Sequence, residues 1–141
     1  MISYKNLEVW THSIETVKQI YILTKSYPPE ERYGLVAQTR RAAASIPCNI
    51  AEGLGRNHIK DTVQFLYISR GSANELETLL SVASMTDIIH RDSYCGINKL
   101  LESNIKSLTG CINYMNQKPS SINHPLKTPN VHQPNIIVSQ K

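Results

Sequence analysis

The sequence predicts an all-α protein: an antiparallel, up-down-up-down four-helix bundle over residues 1–117, followed by a disordered Pro-rich tail over residues 118–141. Three observations predict it. Apolar residues recur at spacings of three and four in four successive segments, the signature of one face of an α-helix. The breaks between these segments are short, which makes consecutive helices antiparallel neighbours. The periodicity then stops after Gln117, where Pro119, Pro125, Pro129 and Pro134 fall among Ser, Asn, His and Gln, a composition that buries too little to order itself.

The first segment carries Leu7, Trp10, Ile14, Val17 and Tyr21 as its core line and ends at Tyr27-Pro28-Pro29, because a residue before proline is pushed out of the helical region. Glu30 and Glu31 suit the positive end of a second helix, which runs over residues 31–55 with Leu35, Thr39, Ala42, Ile46 and Ile50 as its core line. Pro47 lies inside it, deprives the Ala43 carbonyl of its donor and predicts a kink. Gly53 and Gly55, before Arg56-Asn57-His58, form its stop. A third helix covers residues 61–86, with Leu66, Ser69, Ala73, Leu76, Leu80 and Ala83 inward. Its small residues let a neighbour approach closely. The fourth begins near Asp92 or Ser93 and carries Tyr94, Ile97, Leu101, Ile105, Leu108, Ile112 and Met115 on one face.

Composition narrows the class. The 141 residues suit one domain. The chain opens Met1-Ile2-Ser3-Tyr4-Lys5 without a basic-then-apolar leader, and no apolar run approaches the ~20 residues that cross a membrane. Cys48, Cys95 and Cys111 are widely spaced, which fits buried thiols in the cytoplasm better than a disulfide framework. The net charge of +4 is uneven. Residues 1–117 carry twelve Lys and Arg against eleven Asp and Glu, and the remaining three charges are Lys118, Lys127 and Lys141.

The second helix departs from the rule that a surface helix has a polar back. Opposite its core line lie Val36, Arg40, Ala43, Ala44, Pro47, Ala51 and Leu54, and only Arg40 is charged. These residues are expected to form a homo-oligomer interface. Arg41 falls at the edge of the core, while Phe65, Ile68, Leu79 and Val82 put Glu75 on a buried-looking face. An Arg41–Glu75 ion pair that fixes helix register is therefore expected.

The run Gln38-Thr39-Arg40-Arg41-Ala42-Ala43-Ala44-Ser45-Ile46-Pro47-Cys48-Asn49-Ile50-Ala51-Glu52-Gly53 resembles the signature of the 23S rRNA intervening-sequence proteins, also called the S23 or four helix bundle protein family. Leu7-Glu8-Val9-Trp10, Tyr27-Pro28, Glu31 with Tyr33-Gly34-Leu35, and Gly71-Ser72-Ala73-Asn74-Glu75-Leu76-Glu77-Thr78 agree in order and separation. The resemblance covers about residues 3–117. It implies a bacterial four-helix bundle, a ring-shaped homopentamer and no enzymatic activity. The architecturally similar accessory proteins of diversity-generating retroelements use a basic ring to bind nucleic acid and a reverse transcriptase. Ala73-Asn74 departs from the family pattern, where an apolar residue is common, and touches local packing rather than fold.

Catalytic and metal chemistry finds no pattern. His12, His58, His90, His124 and His132 are single, and none pairs at the helical zinc spacing. Gly53-Leu54-Gly55-Arg56 lacks the strand and the Gly-Lys-Ser/Thr of a phosphate loop and reads as a helix stop. Ser45 or Cys48 with His58 has no activating geometry. No enzyme, cofactor or metal is expected. The chain is read first as a homo-oligomeric scaffold that presents its rims and tail to a protein partner, the tail ending in an apolar Ile136-Ile137-Val138 stub. The alternative is non-specific RNA or DNA binding through Arg56 and Lys60 in the turn between helices two and three, with Arg40 and Arg70 beside them. Charge is polarised in its favour: residues 32–70 carry six positive and two negative groups, a net of +4, and residues 71–92 one positive and four negative, a net of −3.

Overall fold

The computed structural model describes residues 3–119, so the expected tail lies outside the described residues apart from Lys118 and Pro119. Four α-helices follow in order: α1 Glu8–Thr24, α2 Leu35–Leu54, α3 Ile59–Met85 and α4 Arg91–Asn116. Single 3-10 turns at Tyr4–Asn6 and Pro29–Glu31 precede α1 and α2. Each helix packs on its chain neighbours and α1 also packs on α4, while the diagonal pairs α1/α3 and α2/α4 stay apart. That adjacency is the up-down-up-down bundle.

The helix ends follow local chemistry. Glu31 accepts a hydrogen bond from the Leu35 amide through Oε2 at 3.2 Å, satisfying a donor that the helix start leaves open. The α2 helix runs through Pro47 as one element, and Asn49 Nδ2 donates to the Ser45 carbonyl at 2.8 Å. Between α3 and α4 the chain reverses at Asp87, whose φ of 59° lies in the left-handed region that Asp tolerates. The amides of Ile88 and Ile89 both return to the Ala83 carbonyl, closing α3 and tucking Ile89 into the core. At the start of α4, His90 accepts from the Asp92 amide at 3.3 Å.

The core is aliphatic, with Leu7, Ile20, Ile46, Ile50, Leu66, Leu76, Leu80, Leu101, Leu108, Ile112 and Met115 its largest enclosed side chains. Each such burial stabilises the fold by about 1.5–3 kcal/mol. All six residues expected inward on α3 are buried, as are Thr39, Ala42, Ile46 and Ile50 on α2. The α2/α3 seam is the tightest. A Cβ at Gly53 would stand 2.8 Å from Phe65 Cβ, Ser69 Oγ donates to the Ile46 carbonyl at 2.9 Å, and Ser45 and Ser72 share a hydrogen bond of 2.8 Å.

The first helix overturns its expected core line. Val9, Ser13, Thr16, Ile20 and Thr24 face inward with Leu7, whereas Ile14 and Tyr21 are exposed and Trp10 and Val17 only half covered. The helix is turned by about one residue, 100° on the helical wheel. Ser13, Thr16 and Thr24 tolerate burial because each hydroxyl donates to a carbonyl of its own helix, at 2.6, 3.1 and 2.8 Å, and is left with no unpaid polar hydrogen. Thr16 also accepts from Asn104 Nδ2 of α4, which is itself enclosed.

Candidate functional site

The outer side of α2 is bounded on one flank by the displaced apolar line of α1. Trp10, Ile14, Val17 and Tyr21 are spaced by four, three and four residues, so they form one stripe. Ile14 is 40% and Tyr21 44% exposed. Arg40 of α2 locates the stripe: its guanidinium lies 4.5 Å from the Tyr21 ring centroid, and its Nε donates to Thr24 Oγ1 at 2.8 Å. The stripe therefore borders α2. Tyr4 closes its far end, edge-on to Trp10 with centroids 5.5 Å apart. There a shallow depression of about 620 Å³ is lined by Tyr4, Cys48, Ala51, Glu52, Gly55 and Arg56.

The structure corrects the interface expected on α2. Val36, Ala43, Pro47 and Leu54 are buried within the single chain; only Arg40, Ala44 and Ala51 of that set reach the surface, each half covered. The reason is geometric. The helix is wedged between α1 and α3, so its buried arc spans more than the single line a two-helix contact needs. Unclaimed apolar surface lies on α1 instead, at Ile14 and Tyr21. Its sequence signal is that Val9, Ile20 and Leu23 make a second apolar line beside Trp10, Ile14, Val17 and Tyr21. One helix with two lines has more apolar surface than one core uses.

The expected Arg41–Glu75 ion pair is also corrected. Both residues are exposed, and among the described residues no ion pair joins them. The Ser45–Ser72 contact sets the register of α2 against α3 and puts Arg41 and Glu75 at nearly the same height. They sit outside the seam, where water solvates each charge and little is gained by pairing. The face that looked buried around Glu75 is open, with Ile68 and Val82 each 43% exposed.

Three of the four candidate phosphate contacts have intramolecular partners. Arg56 pairs with Glu52 and lies 4.7 Å from the Phe65 ring centroid. Arg70 lies 5.0 Å from the Tyr67 ring and approaches Thr109 Oγ1 at 3.4 Å. Arg40 is held by Tyr21 and Thr24 as described. Lys60 is exposed in the first turn of α3, on the side of the bundle where Arg56 also lies, while Arg40 is far along α2 toward the other end. The four do not converge on one point.

Among the described residues no three His, Cys, Asp or Glu side chains gather as metal ligands, and no helix is long and apolar enough to cross a membrane. Cys48 and Cys95 are exposed. Cys111 is enclosed in α4, and burial pushes its thiol up to about 12.

The family model of the 23S rRNA-intervening sequence protein matches residues 5–110, which include all of α1, α2 and α3 and most of α4. The chain belongs to that family. A crystal structure of a protein of unknown function from the S23 ribosomal protein family of Bacteroides thetaiotaomicron is similar to this 23S rRNA-intervening sequence protein. The two are 30% identical, the match covers 74% of this chain and 97% of that one, and the TM-score is 0.69. No curated protein matches the chain. Membership in the 23S rRNA-intervening sequence family thus accounts for the bundle and leaves its activity open.

Proposed function

We propose that this chain is a non-enzymatic scaffold that self-associates through the outer α1/α2 face. One observation carries the reading: α1 buries Ser13 and Thr16 completely while Ile14 and Tyr21 stand 40% and 44% exposed. Turning the helix the other way would bury more apolar surface in the single chain. The orientation makes sense when a second surface covers the stripe, since contiguous apolar patches rimmed by polar residues mark contact sites. Ala44 and Ala51 continue the patch onto α2 and let a partner helix approach closely.

The test is the mass of the purified protein in solution, by sedimentation or light scattering, beside an Ile14→Lys variant. The wild type is expected as a multimer and the variant as single chains with unchanged helical circular dichroism. A wild type that stays a single chain at high concentration overturns the reading.

A second reading is favoured by Lys60 and Arg56, both exposed at the start of α3 and the end of α2. Repeated around an oligomer, their fields add and attract phosphate backbones without sequence preference. It predicts RNA binding that weakens steeply with salt and is lost in an Arg56→Glu, Lys60→Glu double variant. The scaffold reading predicts assembly untouched by that change.

A further inference from the structure

The helices α1 and α4 are the least closely packed neighbours of the bundle. Their enclosed contact is polar, Asn104 on Thr16, and toward the end of α1 the seam widens into an open trough of about 410 Å³. That volume falls within the ~300–1,000 Å³ of pockets that enclose apolar ligands. Ile22, Leu23, Ile97 and Leu100 line it; Ile22 is 53% exposed and the other three are half covered. Gly96 leaves the α4 wall low. A Cβ there would meet nothing within 4 Å, so the trough stays open even with a methyl group in that place. Its one charged lining residue, Glu15, accepts from Gln19 Nε2 at 2.8 Å and lies 3.9 Å from Lys18 Nζ.

The chain leaves α4 beside the same seam. Ser93, Leu100, Ser107 and Tyr114 recur every seven residues and form one stripe of α4. Ser93 and Leu100 line the trough, and at the other end of the stripe Lys118 holds its ammonium 4.7 Å from the Tyr114 ring centroid. At 1.5 Å per residue the trough lies about 27 Å back along α4 from Asn116. Residues 118–141 contain three Lys and no Asp or Glu, and their only run of adjoining aliphatic residues is Ile136-Ile137-Val138. The 17 residues from Pro119 to Ile136 reach up to about 56 Å, about twice what that path requires.

We infer that Ile136-Ile137-Val138 of the same chain seats in the α1/α4 trough and covers Ile22, Leu23, Ile97 and Leu100. Apolar side chains removed from water on both sides drive the contact. A segment without carboxylates meets no repulsion from Glu15. A tethered segment also meets its site at an effective concentration on the order of mM, so the chain's own segment prevails over any free one that is more dilute. The trough lies on the flank of α1 turned away from α2. Its occupancy is therefore independent of the self-association proposed above.

The experiment uses the full chain with its Ile, Leu and Val methyl groups labelled for nuclear magnetic resonance. Through-space contacts are expected between the methyl groups of residues 136–138 and those of Ile22, Leu23, Ile97 and Leu100. Two variants are measured beside it, Ile22→Lys and the triple change Ile136→Ser, Ile137→Ser, Val138→Ser. Ile22 is exposed in the bundle, and circular dichroism checks that both variants keep their helices. Both are expected to lose the contacts. Labelled chains co-assembled with a large excess of unlabelled chain are expected to keep them at undiminished strength. A wild type without these contacts overturns the inference, as does an Ile22→Lys chain that retains them in full. Contacts that fade as unlabelled chain is added overturn it too, because they assign the trough to the segment of another copy. The mass of the assembly reads self-association separately, so either proposal can fail without the other.

Discussion

Gly53 offers a sharp test of the α2/α3 seam. Replacing it by Ala adds one methyl group to a buried helical position. That methyl would stand 2.8 Å from Phe65 Cβ and 3.0 Å from the Thr62 carbonyl oxygen, and neither is the free end of a flexible side chain. Forcing a methylene into such a contact costs about 1–3 kcal/mol. The same change improves helix propensity by about 1 kcal/mol, so the raw effect mixes two terms of opposite sign. Gly96 separates them. It is exposed inside α4, away from the proposed α1/α2 face, and a Cβ there meets nothing within 4 Å. Gly96→Ala should therefore stabilise by about 1 kcal/mol. Because propensity cancels between the two variants, their difference reports the steric cost alone. We expect Gly53→Ala to be the less stable by about 1–3 kcal/mol, which is on the order of 1 M in urea midpoint for a domain of this size. Both are measured by helical circular dichroism at one protomer concentration, since assembly shifts apparent stability. Coincident midpoints would refute the close approach of α2 and α3.

Two single residues carry the further predictions. Cys111 should resist a thiol reagent at pH 8 while exposed Cys95 reacts, with the third thiol appearing only on unfolding; its labelling at the rate of Cys95 would contradict its burial. Because its folded pKa of about 12 lies above the reference 9.0, the unfolded chain loses the proton first. Its share of stability is complete below pH 9 and declines as pH rises toward 12, a slope that Cys111→Ala should reduce in denaturation midpoints across that range. Arg40→Lys keeps the charge but loses the planar stack on Tyr21 and the Nε bond to Thr24. It should cost about 1–2 kcal/mol in chemical denaturation, and a neutral result would mean that charge alone matters there.

Much of the fold was legible in the chain because periodicity is local. The lines through Leu66, Ala73 and Leu80 and through Leu101, Leu108 and Met115 were read as inward faces, and both are buried. The first helix offered two, Val9–Ile20–Leu23 and Trp10–Ile14–Val17–Tyr21. The more apolar line is the exposed one. Spacing says which residues share a side; it does not say which side meets the neighbours. That choice depends on Thr16 receiving Asn104 from α4 and on Arg40 reaching Thr24 from α2, contacts between residues far apart in sequence. The Arg41–Glu75 expectation failed for a related reason. Matching height was readable from the two helical patterns, but distance from the seam was not.

The sequence by itself determined four helices, their approximate ends, their antiparallel order and the family to which the chain belongs. The helices and their ends rest on residues within a few positions of one another, such as a proline after a periodic run or a carboxylate before a helix start, and the family on motifs spread over about residues 3–117. Only the tertiary structure decided how α1 is rotated about its axis and how much of α2 the interior takes. Rotation is set by the sum of contacts from two neighbours at once: α2 loses Val36, Ala43, Pro47 and Leu54 to the interior, and α1 turns Ile14 and Tyr21 outward. The apolar face proposed to join copies is what remains once those contacts are satisfied, and so could not be read before the bundle was assembled.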